Sequence, residues 1–195
     1  MVLLIAVALG VICGYLRAKL RGNDIQTLKL KMVGLVFIAY IPQFFAFSYN
    51  PTQRQIPNSW IPFILVGSQI LLLIFAWFNR RAPGFPLLGL GLLSNFLVIS
   101  LNGGFMPLPP SHAEKFIPPG SDMVWRIGER FGVGKDIVLP RSATNLWFLG
   151  DIFMLPEWLN YPLAFSVGDI LIALGAFWFL WELGRPQTII KEVSP

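Results

Sequence analysis

The chain has 195 residues and a formal net charge of +5; 55% of its residues are hydrophobic, 14% aromatic and only 13% charged, about half the charged share of an ordinary soluble domain. A water-soluble core cannot absorb that much apolar surface, and a membrane bundle of this length leaves no room for a second domain, so 1–195 reads as a single polytopic membrane domain whose first partner is the lipid bilayer. The basic residues flank apolar runs instead of clustering with aromatics, which argues against nucleic acid. The single cysteine, Cys13, excludes an intrachain disulfide or a CxxC centre.

Taken in chain order, the apolar stretches predict an all-α membrane protein of about five transmembrane helices, at about 1–17, 33–49, 60–78, 84–101 and 163–183, each about 25–31 Å long. The first carries Gly10 and Gly14 at the GxxxG spacing of a close helix-packing face. Its positive charges follow the apolar run, so it is not a cleaved signal. Pro42 and Pro62 fall in the second and third runs, where neighbouring helices can satisfy a freed carbonyl, and Gln43 and Gln69 are expected to hydrogen-bond between helices. In the fourth, Gly91, Asn95 and Asn102 lie within about 40° of one another at 100° per residue, forming one stripe of small and polar residues. In the fifth, Ser166, Asp169, Ala173 and Ala176 follow steps of three and four, so Asp169 is expected to meet that stripe.

The basic residues set an orientation. Arg17, Lys19, Arg21, Lys29 and Lys31 fall in the first loop, Arg80 and Arg81 in the third, Arg185 and Lys191 in the tail, and only Arg54 in the second. The odd loops are therefore cytoplasmic, with the N-terminus outside and the C-terminus inside.

Residues 102–162 form one long outer loop. Pro107, Pro109, Pro110, Pro118 and Pro119 favour an extended or turning path over a helix. Met123, Val124, Ile127 and Phe131 then oppose Arg126, Glu129 and Arg130, a pattern that predicts a short interfacial helix. The apolar stretch from Asn145 to Tyr161 is broken by Pro156 and Glu157 and predicts a re-entrant or interfacial hairpin.

A polar group inside an apolar span needs a reason, about 2.5–3.5 kcal/mol for an aspartate at mid-membrane. The topology lets Asn102, Asp151 and Asp169 converge just below the outer surface. Two carboxylates there could share a proton, one activating water and the other polarising a carbonyl. Equally, Asp151 could cap the hairpin, Asp169 the fifth helix and Asn102 the fourth. His112, the single histidine, stands among prolines without a second histidine or a cysteine nearby, so neither a metal site nor a cofactor is expected.

Leu101-Asn102-Gly103-Gly104-Phe105-Met106-Pro107, Leu149-Gly150-Asp151-Ile152-Phe153 and Phe165-Ser166-Val167-Gly168-Asp169-Ile170-Leu171, with the opening helix and basic loop, resemble an uncharacterised family of small bacterial polytopic membrane proteins, a domain of unknown function. That resemblance implies a multi-pass protein of the bacterial plasma membrane and carries no activity. The outer-face motifs are also similar to those of lipoprotein signal peptidase, an aspartyl membrane peptidase with an Asn-x-Gly segment and two catalytic aspartates, the second within Phe-Asn-x-Ala-Asp. This resemblance implies that Asp151 and Asp169, 18 residues apart, would be catalytic and that Asn102, Gly103 and Gly104 would orient a membrane-embedded peptide; by their own spacing on the helices, Gly10, Gly14, Gly91, Asn95 and Ser166 are expected to pack helices. Here Ser166 replaces the asparagine, Gly168 replaces the alanine, the Gly-Asn-x-x-Asp-Arg segment is unrecognisable and there is an extra helix. The competing expectation is a non-catalytic accessory or assembly subunit of a membrane complex, whose partner is another protein.

Overall fold

The computed structural model describes residues 2–185 apart from 23, 26–28, 54, 118–119, 121–123 and 160; Arg54, Pro118, Pro119, Met123 and Lys191 lie outside the described residues. The chain is mostly helical. In order it forms α1 (Val2–Leu20), α2 (Gly34–Phe47), α3 (Asn50–Gln53), α4 (Ile61–Phe78), α5 (Phe85–Leu101), β1 (Met106–Leu108), α6 (Pro110–Lys115), β2 (Asp136–Val138), β3 (Phe153–Met154), β4 (Ala164–Phe165) and α7 (Val167–Glu182), with single 3-10 turns at Arg141–Ala143, Trp147–Leu149 and Glu157–Leu159. Two helices, α1 of 19 residues and α4 of 18, are long and apolar enough to cross a membrane; α2 and α5 are shorter apolar helices.

The ends of these helices follow from local chemistry. Pro62 and Pro86 stand in the first turns of α4 and α5, where a missing N–H costs nothing, while α2 continues through Pro42. Asn79 closes α4: its Nδ2 donates to Phe75 O at 2.8 Å and Lys31 O at 2.9 Å, and its Oδ1 accepts from Lys31 N at 2.8 Å. One buried amide thus ties the first loop to the third. The fifth apolar run becomes helical only at Val167, because Ala164 and Phe165 pair as a strand and Ser166 takes the N-cap.

The long helices pack in the spatial order α1, α7, α5, α4, α2. Small residues set their spacing. The buried residues of α1 are Gly10, Gly14 and Ala18, one stripe at steps of four; a Cβ on Gly10 would lie 2.9 Å from Leu180 Cβ, and one on Gly14 would collide with the Leu180 carbonyl. Where α5 crosses α7, Gly91 lies against the backbone of Gly168 and Ile172. Apolar cores fill the remaining contacts, Ala46, Ile61, Leu65, Val98, Ile99 and Met106 towards one end and Phe75, Ala76, Phe85 and Leu92 towards the other. Gln43 donates to Ser68 Oγ between α2 and α4, whereas Gln69 Oε1 is buried without a hydrogen-bond partner.

The segment between α5 and α7 folds into a cap, and here the structure departs from the sequence expectations. No helix forms over 124–131. Gly128 sits at φ +83° and gives its N–H to Val138 O, and Phe131 N donates to Asp136 O, so this stretch turns and runs antiparallel to β2 with Arg130 bridged to Ile137. A left-handed glycine in the middle of the apolar pattern ends any helix there. The short helix of this region is instead α6, which begins at Pro110, inside the proline-rich stretch expected to extend or turn without a helix; its start, β1, is extended. On its other side β2 pairs in parallel with β1, Pro107 opposite Ile137. The stretch expected to be a re-entrant or interfacial hairpin is built from 3-10 turns and β3, which pairs antiparallel with β4 just before α7, Phe153 opposite Phe165. Leu108, Ala113 and Val138 form the core of the cap, with Phe116, Trp125, Phe131 and Ala164 packed around them. Arg130 pins the cap to the bundle. It donates to Gly134 O at 2.6 Å and Asn58 Oδ1 at 2.9 Å, with its guanidinium over the Phe47 ring.

Candidate functional site

The polar groups singled out from the sequence fall into three constellations where the cap meets α5 and α7. The first closes α5. Asn102 is its C-cap; Gly103 and Gly104 follow at φ +73° and +82°, and Gly104 N donates to Ile99 O at 2.9 Å, the closing bond of a Schellman turn. The Asn102 side chain donates to Val98 O at 2.7 Å and Asn145 O at 2.9 Å and accepts from Asn145 N at 2.9 Å, while Asn145 Nδ2 returns a bond to Leu101 O. Asn102, only 7% exposed, is thus spent on clamping the cap to the helix end.

The second constellation starts α7. Ser166 Oγ accepts from Asp169 N and Asp169 Oδ2 accepts from Ser166 N, each at 3.0 Å, a reciprocal capping box. The other carboxylate oxygen of Asp169 accepts from Asn95 Nδ2 at 3.0 Å, and Ser166 Oγ donates to Asn95 Oδ1 at 3.0 Å. Asp169 therefore meets Asn95 of the α5 stripe, next to the Gly91–Gly168 crossing, whereas Asn102 on the same stripe turns to Asn145.

The third surrounds Asp151, which is 2% exposed. Its backbone N–H donates to Pro107 O at 3.0 Å along β1, and its backbone oxygen lies 3.1 Å from His112 Nδ1. Lys135 Nζ reaches Asp151 Oδ2 at 2.6 Å and Asp136 Oδ1 at 3.1 Å, while Asp151 Oδ1 is buried without a hydrogen-bond partner. Burial pushes the Asp151 carboxyl up to about 7 against the pull of Lys135, with Asp136 and Asp169 adding to the rise. Burial works against the Lys135 ammonium, but the surrounding Asp136, Asp151 and Asp169 carboxylates outweigh it and hold the lysine above its usual value. Lys135, absent from the sequence reading, sits on a loop with no periodicity; the adjoining Lys135-Asp136 was its one visible signal.

Asp151 and Asp169 thus have separate sets of partners, the first a lysine ammonium, the second a backbone amide and the Asn95 side chain. Their link is electrostatic, and in this arrangement Asp151 is the group able to exchange a proton near neutrality.

The chain belongs to the DUF5317 family, a family of unknown function, whose model matches residues 27–181. It is 30% identical over 175 residues to a Thermotoga maritima protein described as uncharacterized, covering 87% of this chain and 86% of that one. No solved structure matches it.

Proposed function

We propose that this chain is a five-span protein of the bacterial plasma membrane, N-terminus outside and C-terminus in the cytoplasm, that acts as a non-catalytic accessory or assembly subunit of a membrane complex. The single observation that carries the non-catalytic reading is the occupation of Asp169: both carboxylate oxygens already accept hydrogen bonds, one inside a capping box. A dyad shares one proton between its two carboxyls, and neither of these bonds of Asp169 runs to Asp151. The membrane reading draws support from the character of the exposed helix surfaces, where Leu4 and Ile12 of α1, Phe37 and Tyr40 of α2, and Phe63 of α4 are all more than half exposed. The five long helices, 14 to 19 residues or about 21–28 Å, approach the thickness of a bilayer core, and the basic residues gather in alternate loops. On this reading the cap lies outside, and its covered strands and clamps give a partner protein a rigid surface.

One observation favours a second reading, an aspartyl hydrolase acting on a membrane-embedded peptide: Asp151 pairs an unpartnered oxygen with a carboxyl near 7, the property of a general acid or base. One contrast separates the two. If Asp169 only closes the capping box, Asp169→Asn, which leaves one of its two donors without an acceptor, costs about 1 kcal/mol or more, Asp169→Ala at least as much, and the cellular phenotype follows the lost stability. Peptidase activity of the membrane-reconstituted protein that Asp169→Asn abolishes would overturn the accessory reading.

A further inference from the structure

An open groove of about 720 Å³ runs between α4 and α5, lined by Leu73, Trp77, Phe85, Pro86, Gly89 and Leu93. Its volume lies within the range of ligand clefts, about 300–1,000 Å³, and its walls are almost wholly apolar. Arg80 stands at one end, its guanidinium 4.2 Å from the centre of the Trp77 ring and its Nη1 donating to Trp77 O at 2.9 Å. Stacking and this bond fix the direction of the side chain but do not neutralise it; among the described residues Arg80 has no carboxylate partner. Arg81 follows, exposed. At the same end α5 begins, with no acidic residue in its first turn, so the positive end of its dipole is unopposed. An apolar channel with positive charge at one mouth matches an acyl chain with an anionic head.

We propose that this groove holds one acyl chain of an anionic phospholipid of the cytoplasmic leaflet, its phosphate at Arg80 and Arg81. The inference rests on the five-span reading, in which α4 runs inward and α5 outward, so that the groove spans the inner half of the bilayer from the Arg80 interface. Positive charge at such a surface attracts anionic lipid, and the small Gly89 keeps the floor open: a Cβ there would touch only Ala76 Cβ, at 3.6 Å.

The test is native mass spectrometry of the full chain in detergent with equimolar phosphatidylglycerol and phosphatidylcholine. The wild type is expected to carry phosphatidylglycerol over phosphatidylcholine by about fivefold, the weight of one basic side chain at an anionic surface. Arg80→Gln is expected to lower the ratio and Arg80→Gln with Arg81→Gln to bring it close to one, and Gly89→Leu, whose Cβ meets no backbone, to reduce both adducts. Equal adducts on the wild type, an unchanged preference in Arg80→Gln, undiminished adducts in Gly89→Leu, or a lipid-free dimer closing the groove would each overturn the proposal. Carbonate extraction of cell membranes keeps the two readings apart. Release of the chain overturns the five-span reading, whereas a retained chain without lipid preference overturns the lipid site alone.

Discussion

Replacing Lys135 with methionine keeps the apolar stem of the side chain but removes the ammonium 2.6 Å from Asp151. The cost depends on the charge Asp151 carries. Its folded carboxyl lies at about 7 against an ordinary 3.8, so between these values the native chain holds a proton that the unfolded chain has released. The stabilising contribution of this group is therefore fully present below about pH 3.8 and is lost as pH rises through about 7, a total of roughly 4 kcal/mol. Lys135, held above its usual value, stays charged throughout this window. At pH 5 Asp151 is neutral, and Lys135→Met gives up about one hydrogen bond to it, about 1 kcal/mol; the half-buried contact with Asp136 is lost at both pH values and cancels from the difference. At pH 8.5 Asp151 is ionised, and breaking a buried pair costs about 3–5 kcal/mol unless the carboxylate is neutralised. Proton uptake caps the loss, because the neutral form lies only about 2 kcal/mol above the ionised one at that pH, and the expected cost is about 3 kcal/mol. Native-state hydrogen exchange of the Asp151 amide bonded to Pro107 and the Leu139 amide bonded to Leu108, corrected for intrinsic rates, reads these values directly. An equal loss at both pH values, or a larger one at pH 5, would refute the reasoning, and Asp151→Asn in the same background is expected to abolish the difference.

Asn102→Ala strips the clamp on Asn145 and leaves its N–H without the side-chain acceptor; a loss of about 1–3 kcal/mol is expected, read as a lowered melting temperature in detergent. Gly14→Leu is expected to push α1 off α7, because the new side chain meets the Leu180 carbonyl, and to abolish a disulfide cross-link engineered between those helices; Gly34→Leu, with nothing within 4 Å of its Cβ, serves as the control that leaves it intact. For the orientation, Ile25→Cys in a Cys13→Ala background is expected to react with an impermeant thiol reagent only after the cytoplasmic side is opened, and labelling of intact cells from outside would reverse the topology.

The five long helices could be read along the chain because each is a local affair, an apolar run ended by a punctuating residue: Pro62 and Pro86 in first turns, Asn79 and Asn102 at last ones. The meeting of Asp169 with Asn95 was also legible, since a period of 3.6 residues fixes which side chains share a helix face and small residues such as Gly91 mark where two faces approach. The cap was not. Its apolar and charged residues over 124–131 mimic an amphipathic helix, but Gly128 in the left-handed region lets the chain turn back and pair with β2, a choice made by a strand several residues away. The same holds for the chemistry of Asp151. Composition marks it as a carboxylate near an apolar run, but whether it faces water, a second aspartate or an ammonium depends on how β1, β2 and the 151 segment align. That alignment brings in Lys135 from 16 residues earlier. Helical periodicity repeats along the sequence and so leaves a trace in it; a contact between two irregular loops has no period, and only the packed fold decides it.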